Sequence, residues 1–185
     1  GTITTERNTM NPINSFVGID PGNGGGIAVL TEGEDGLDIV SRKFPTDVRD
    51  VGMFLKAATN NTNHRVAIEK VHSMPNQGVK STFTFGMNYG IWIGALRTLD
   101  IDFIKIQAKQ WQGHYEIKKG MNYYDRKKEL KRIAISLFPN ERVTMYTADA
   151  LLIANYCMQT HYSKIKERGF YSLTQKQRQT INNHT

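Results

Sequence analysis

Two kinds of connection between strand-like segments constrain this chain more than any other feature. Three such segments come first, over 15–20 (SFVGID), 27–30 and 37–44, joined only by the glycine-rich turn at 21–26 and the Gly/Asp/Glu run at 32–36. Links this short make hairpins. The later strand-like segments, 65–71 (RVAIEKV) and 101–106, each follow a helix-length stretch, 46–58 and 81–98, long enough for a crossover. Two further helices, 125–138 and 148–158, complete the pattern. The order β-β-β-α-β-α-β-α-α predicts an α/β fold with a mixed five-stranded sheet, its first three strands an antiparallel meander, flanked by helices on both faces.

Periodicity supports these helices. Thr46 is positioned to cap the first, with Val48, Val51, Phe54 and Leu55 along one side. Leu130, Ile133, Ala134 and Leu137 form the inward stripe of 125–138, which Pro139 stops. The 81–98 helix carries Tyr89, Trp92, Ile93 and Leu96 together with a row of glycines, Gly86, Gly90 and Gly94. Each glycine costs about 1 kcal/mol relative to alanine in a helix. Such a row predicts close approach of another backbone, first of all within the domain, with a partner subunit as the alternative.

At 185 residues the chain fits one domain. Its expected layout is a polar leader over 1–14, a folded unit over 15–162 and a basic polar tail over 163–185. The single cysteine, Cys157, lies in an apolar run and reads as a core residue in a reducing compartment. No run approaches the roughly 18 apolar residues of a membrane span, so an intracellular protein without membrane contact is expected. The net charge of +7 favours a polyanionic partner, and residues 118–142 concentrate it with eight basic against three acidic side chains. The rival reading of that segment is a solvated helix face.

Three acids interrupt apolar contexts. Asp20 closes the first strand before the glycine-rich turn, Glu69 lies in VAIEKV, and Asp149 lies in the first turn of the last helix, in TADALLIANY. Each alone has a structural explanation, as turn former or helix-dipole partner. Together, at the mouths and edges of one sheet, they make a hard, oxygen-rich donor set suited to Mg²⁺, with Mn²⁺ able to substitute. Such ions support phosphodiester hydrolysis, two of them about 3.5–4 Å apart sharing the attacking and leaving oxygens. The five histidines, His64, His72, His114, His161 and His184, show no zinc-ligand spacing with Cys157.

GIDPGNGGG at 18–26, IEKVHSMPNQGVKSTFTFGMNYGIWIGAL at 68–96 and ADALLIANY at 148–156 resemble the three motifs of RuvC-like Holliday-junction resolvases, of the type found in phages, bacteria and chloroplasts. The resemblance spans about 18–158 and implies an RNase H-like fold and a Mg²⁺-dependent endonuclease that resolves four-way or branched DNA as a homodimer. It implies an intracellular location, in the cytoplasm or nucleoid of a bacterium or phage-infected cell, or in an organelle. Carried over position by position, it makes Asp20, Glu69 and Asp149 the catalytic metal ligands. His72, Asn76, Gln77, Lys80 and Phe83 then fall near the DNA branch, and Lys105 and Lys109 follow the fifth strand where relatives carry basic residues. Trp111, beside them, is open between DNA contact and core. Lys118, Lys119, Lys127, Lys128 and Lys131 are the candidate phosphate contacts, whose signature is salt-dependent binding. The glycine helix, with Tyr89 and Trp92, is the candidate dimer surface.

One departure stands out. The family carries a fourth acid or a histidine a few residues before the third-motif acid, whereas residues 143–148 read VTMYTA, and Glu141 lies eight residues upstream of Asp149. A non-catalytic DNA-binding relative therefore stays open. So do a flap or single-strand endonuclease on the same scaffold and a nucleotide-binding domain of the actin and sugar-kinase type. That last class also opens with a strand, an Asp and a glycine-rich hairpin, but needs about twice this length.

Overall fold

The computed structural model describes residues 13–71, 78–167 and 175–184. Strands β1 (Ile13–Asp20), β2 (Gly26–Gly33) and β3 (Gly36–Lys43) form the antiparallel meander; helix α1 (Arg49–Thr59) leads into β4 (Thr62–Glu69), and α2 (Val79–Thr98) into the short β5 (Ile104–Ile106). The helices α3 (Ala108–His114), α4 (Tyr123–Leu137), α5 (Ala148–Glu167) and α6 (Gln175–Asn183) follow. The five strands lie in the order β3-β2-β1-β4-β5, with β4 parallel to both β1 and β5. This is the mixed sheet that hairpins followed by crossovers require.

Two cores sandwich the sheet, because successive side chains of a strand point to opposite faces. Val17, Ile19, Val66 and Ile68 point to the α1/α2 side, against Val51, Leu55, Trp92 and Leu96. Phe16, Ala28, Leu30 and Ala67 point to the other side, against Leu130, Leu151, Ile153 and Ala154 of α4 and α5. Burying each large apolar side chain stabilises the fold by about 1.5–3 kcal/mol. Helix α5 crosses β1, β2 and β4. The contact is close: a Cβ on Gly18 would stand 2.3 Å from Ala150 O and Ala154 N, so only glycine lets the helix settle there. Cys157 is buried in the same core.

Several boundaries differ from the expected ones. Helix α1 starts at Arg49 rather than Thr46, and Asp47 accepts the Arg49 N–H through its carboxylate, a role the sequence had suggested for Thr46. Strand β5 begins at Ile104, not 101, because Ile101 N–H is spent on Leu96 O in closing α2, with Asp100 at φ 53°. Of the polar leader, residues 1–12 lie outside the described residues and Ile13 and Asn14 belong to β1. Of the segment read as a tail, residues 163–167 continue α5 and Gln175–Asn183 form α6, whose Ile181 is fully buried in the α5 core.

The glycine row of α2 corrects a second expectation. The helix buries Asn88, Trp92 and Leu96, and Gly86, Gly90 and Gly94 each precede one of these by two residues, about 200° around the helix. They therefore face outward, and a Cβ on any of them would meet nothing within 4 Å. Trp92 belongs to the core, while Val79, Phe83 and Met87 are 87%, 71% and 50% exposed.

Candidate active site

The alternation that builds the cores also gathers the three acids. Phe16, Gly18 and Asp20 share the α5 face of β1, and Ala67 and Glu69 share it on the neighbouring parallel strand. Asp149, in the first turn of α5, meets them there. The turn after β1 is shaped around Asp20: Gly22 N–H donates to its Oδ1 at 3.0 Å, and a Cβ on Gly25 would lie 2.1 Å from Asp20 O and 2.8 Å from its Cγ. Glu69 is held from the other side, its Oε2 accepting from Trp111 Nε1 at 2.7 Å. Trp111 is thus both core and site, fully buried with its one polar atom on a carboxylate.

The acids are electrostatically one group. Burial first, and then the charge of Asp149, pushes the Asp20 carboxyl up to about 6, against the pull of Lys127 and of the Gly22 N–H. Burial and then Asp20 push Glu69 up to about 7, opposed by the Trp111 hydrogen bond, with Asp149 adding to the rise and Lys127 subtracting from it. The counter-charge is Lys127 of α4. Its Nζ lies 2.5 Å from Asp149 Oδ2 and 3.9 Å from Asp20 Oδ2, and its side chain is 16% exposed. Burial lowers the Lys127 pKa, but the attraction of Asp149 and Asp20 outweighs it and the net shift is upward.

This donor set fits a hard divalent cation in its chemistry: carboxylate oxygens only, a cation already drawn among them, and a buried Asp149 Oδ1 with no hydrogen-bond partner among the described residues. It is not closed around one. Among the described residues no three acidic, histidine or cysteine side chains converge tightly enough to hold a metal ion as they stand. The Lys127 ammonium takes that role in this arrangement.

The other sequence candidates scatter around this centre. Lys127, grouped by sequence with the phosphate-binding lysines, is inside the carboxylate site instead of on the open face of α4. Lys128 on α4 is exposed and Lys131 half-buried, while Lys118 and Lys119 lie exposed in the loop before that helix. Lys80, Lys105 and Lys109 are exposed on α2, β5 and α3. His72, Asn76 and Gln77 lie outside the described residues. Glu141 does not act as a fourth acid here: its carboxylate accepts from Ser41 Oγ of β3 at 3.1 Å, and it is not among the charges that perturb Asp20 or Glu69.

Three exposed tyrosines were missed. Tyr123 and Tyr124, each 66% exposed at the start of α4, carry Arg126 and Lys128 over their rings at 5.7 and 5.0 Å. Tyr146, three residues before Asp149, would lie 3.9 Å from a Cβ on Gly24 of the turn after β1. The available signal was aromatic residues interleaved with basic ones in KKGMNYYDRKK, a pattern of nucleic-acid surfaces.

No protein-family model and no curated protein sequence matches the chain. Its fold is similar to that of T. thermophilus RuvC in complex with a Holliday junction substrate, at a TM-score of 0.53 and 16% sequence identity, over 82% of this chain and 96% of that one. Another Thermus thermophilus RuvC structure gives a TM-score of 0.50 at 16% identity, with the same coverage of both chains. The chain has a RuvC-like form of the RNase H-like α/β fold.

Proposed function

We propose that this protein is a structure-selective endodeoxyribonuclease that cuts four-way or branched DNA by metal-dependent phosphodiester hydrolysis, acting as a homodimer. The observation that carries this reading is that Asp20, Glu69 and Asp149, from two strands and a helix, lie within electrostatic reach of one another, with the Lys127 ammonium paired to Asp149 and near Asp20. Asp20, Glu69 and Asp149 would hold Mg²⁺, or Mn²⁺ in its place. When bound, such an ion supplies Lewis-acid activation of the phosphate and of the attacking water. The protein's own groups set up that chemistry. Gly22 N–H fixes the Asp20 carboxylate, Trp111 N–H fixes Glu69, and the Lys127 ammonium balances the charge of Asp149 and Asp20, a compensation that a bound divalent ion would share.

The exposed basic residues of α4 and the loop before it, with Tyr123 and Tyr124, support a DNA-binding surface beside the site. The similarity to a RuvC solved with a Holliday junction substrate supports branched DNA as the ligand. The outward face of α2, with Phe83 and Met87 beside the glycine row, supports a subunit contact, and a two-fold dimer matches the two-fold symmetry of a four-way junction. A second reading, a branched-DNA-binding relative without catalysis, is favoured by the occupation of Glu141 with Ser41 and by Tyr146 near the catalytic turn where an acid is expected. Asp20→Asn and Glu69→Gln separate the two. On the catalytic reading each lowers junction cleavage at least a hundredfold while junction affinity in gel-shift titration stays within threefold. Loss of affinity in both variants would instead assign these acids a structural role.

A further inference from the structure

Among the described residues the exposed tyrosines are Tyr123, Tyr124 and Tyr146; the other described tyrosines are half-buried or buried. All three border the carboxylate site. Tyr123 and Lys127 are four residues apart in α4, so they share a face of that helix one turn apart, and the Tyr123 phenol lies within electrostatic reach of the Lys127 ammonium. Tyr124 adjoins it. On the other side, Tyr146 lies where the chain enters α5, with its ring against the turn that follows Asp20: a Cβ on Gly24 would stand 3.9 Å from its Cδ1 and Cε1. Two separate elements thus bring exposed rings to the rim of one site.

Each ring carries a cation. Arg126 lies 5.7 Å from the Tyr123 ring centre, Lys128 Nζ 5.0 Å from that of Tyr124 and Lys43 Nζ 5.9 Å from that of Tyr146. None of these cations forms an ion pair among the described residues, so their charge is not cancelled. The backbone holds the Tyr146 pair in place. Thr144 N–H donates to Thr147 Oγ1 at 3.0 Å and Tyr146 N–H to Thr144 Oγ1 at 3.3 Å, which fixes the entry to α5. Lys43 is brought to it by the pairing of β3 with β2, opposite Gly26, where Phe44 N–H donates to Gly25 O at 2.9 Å. Exposed pairs of this kind stabilise a fold by only about 0.5–1 kcal/mol each. What they offer a ligand is a flat ring face beside an unneutralised charge. A DNA duplex presents phosphates and base edges, its base faces being covered by their neighbours. Only an unpaired strand presents base faces together with phosphates.

We propose that this rim binds an unpaired DNA strand, its bases stacked on Tyr146 on one side of the carboxylates and on Tyr123 and Tyr124 on the other, its phosphates held by Lys43, Arg126 and Lys128. The strand that the site receives is then unpaired across the phosphate to be cut. That the strand is DNA and is cut rests on the function proposed above; the binding itself needs neither metal nor catalysis.

The test uses the full chain in EDTA, so that a protein unable to cut is tested equally well. Labelled oligothymidylate and a linear duplex of the same length are titrated by fluorescence anisotropy. Tyr146→Leu and Y123L/Y124L are each expected to weaken oligothymidylate binding at least about fivefold, the lower end for losing one base–aromatic stack, and duplex binding less than about twofold. Tyr146→Phe and Y123F/Y124F keep the rings and are expected to bind oligothymidylate as the wild type does, which separates stacking from a general loss of structure. Ultraviolet crosslinking of oligothymidylate carrying iododeoxyuridine, followed by peptide mapping, is expected to join the strand to Tyr146 and to Tyr123 or Tyr124. Unchanged affinity in both leucine variants, an equal loss for strand and duplex, or crosslinks only elsewhere would overturn the proposal. Junction cleavage is read separately in Mg²⁺, so failure of the nuclease reading and failure of strand binding are distinct results.

Discussion

At the scale of single residues the decisive one is Lys127. Three carboxylates gathered in a largely buried site repel one another, and their charged forms lose hydration. The Lys127 ammonium, against Asp149 and near Asp20, is the compensating charge. Removing one partner of a buried pair leaves the other uncompensated, which costs about 3–5 kcal/mol when burial is complete. With the Lys127 side chain 16% exposed, the expected cost of Lys127→Met in metal-free protein is nearer about 2 kcal/mol. Thermal unfolding in EDTA measures it. The variant is also expected to gain more from added Mg²⁺ than the wild type does, since the ion then supplies all of the compensation. An unchanged midpoint in EDTA would show that Lys127 is not the counter-charge.

At the scale of elements, the site depends on how closely α5 lies on β1. The backbone of α5 occupies the space a Gly18 side chain would need, with Ala150 O and Ala154 N 2.3 Å from the Cβ position. Gly18→Ala must push the helix off the strand, and Asp149 moves with it. The expected destabilisation is about 3 kcal/mol, at the upper end for overpacking, read from denaturant midpoints. Most of this element-level design was legible in the sequence. In SFVGID and RVAIEKV an acid closes or interrupts an apolar run, which marked Asp20 and Glu69, and the apolar run after Asp149 read as a helix; that Asp20 and Glu69 share a face comes from the register of β1 on β4, which has no signature in the sequence. Helix α3 was not legible because its seven residues bury only Trp111, too little to establish a period. Nor was α6, a polar helix anchored on Ile181. The inward turn of Lys127 has no local signature: neighbouring lysines on one helix look alike until the position of α5 decides which reaches a carboxylate. The glycine row misled for a related reason. Spacing identifies a face of a helix but not which way the face points.

For the whole molecule, the cluster predicts an unusual response to pH. Asp20 and Glu69 titrate near 6 and 7 in the native state, above the ordinary carboxylate range. Through these two groups the native chain binds more protons than the unfolded one between about pH 4 and 7, offset in part by His161, which burial holds down at about 4, and its stability falls as pH rises through that window. Denaturant unfolding in EDTA is expected to show this decline, to show much less of it in a D20N/E69Q variant, and to show it reversed by Mg²⁺ at neutral pH. Stability of the metal-free wild type that is flat or rising, with the double variant the same, would contradict the electrostatic account. The central claim is tested most directly by cleavage of a labelled, immobile four-way junction in Mg²⁺, beside a linear duplex of the same sequence. The account predicts paired, symmetric nicks confined to the junction, with Mn²⁺ able to substitute. Tight junction binding with no cut in either metal would contradict it and identify a DNA-binding relative that has lost catalysis.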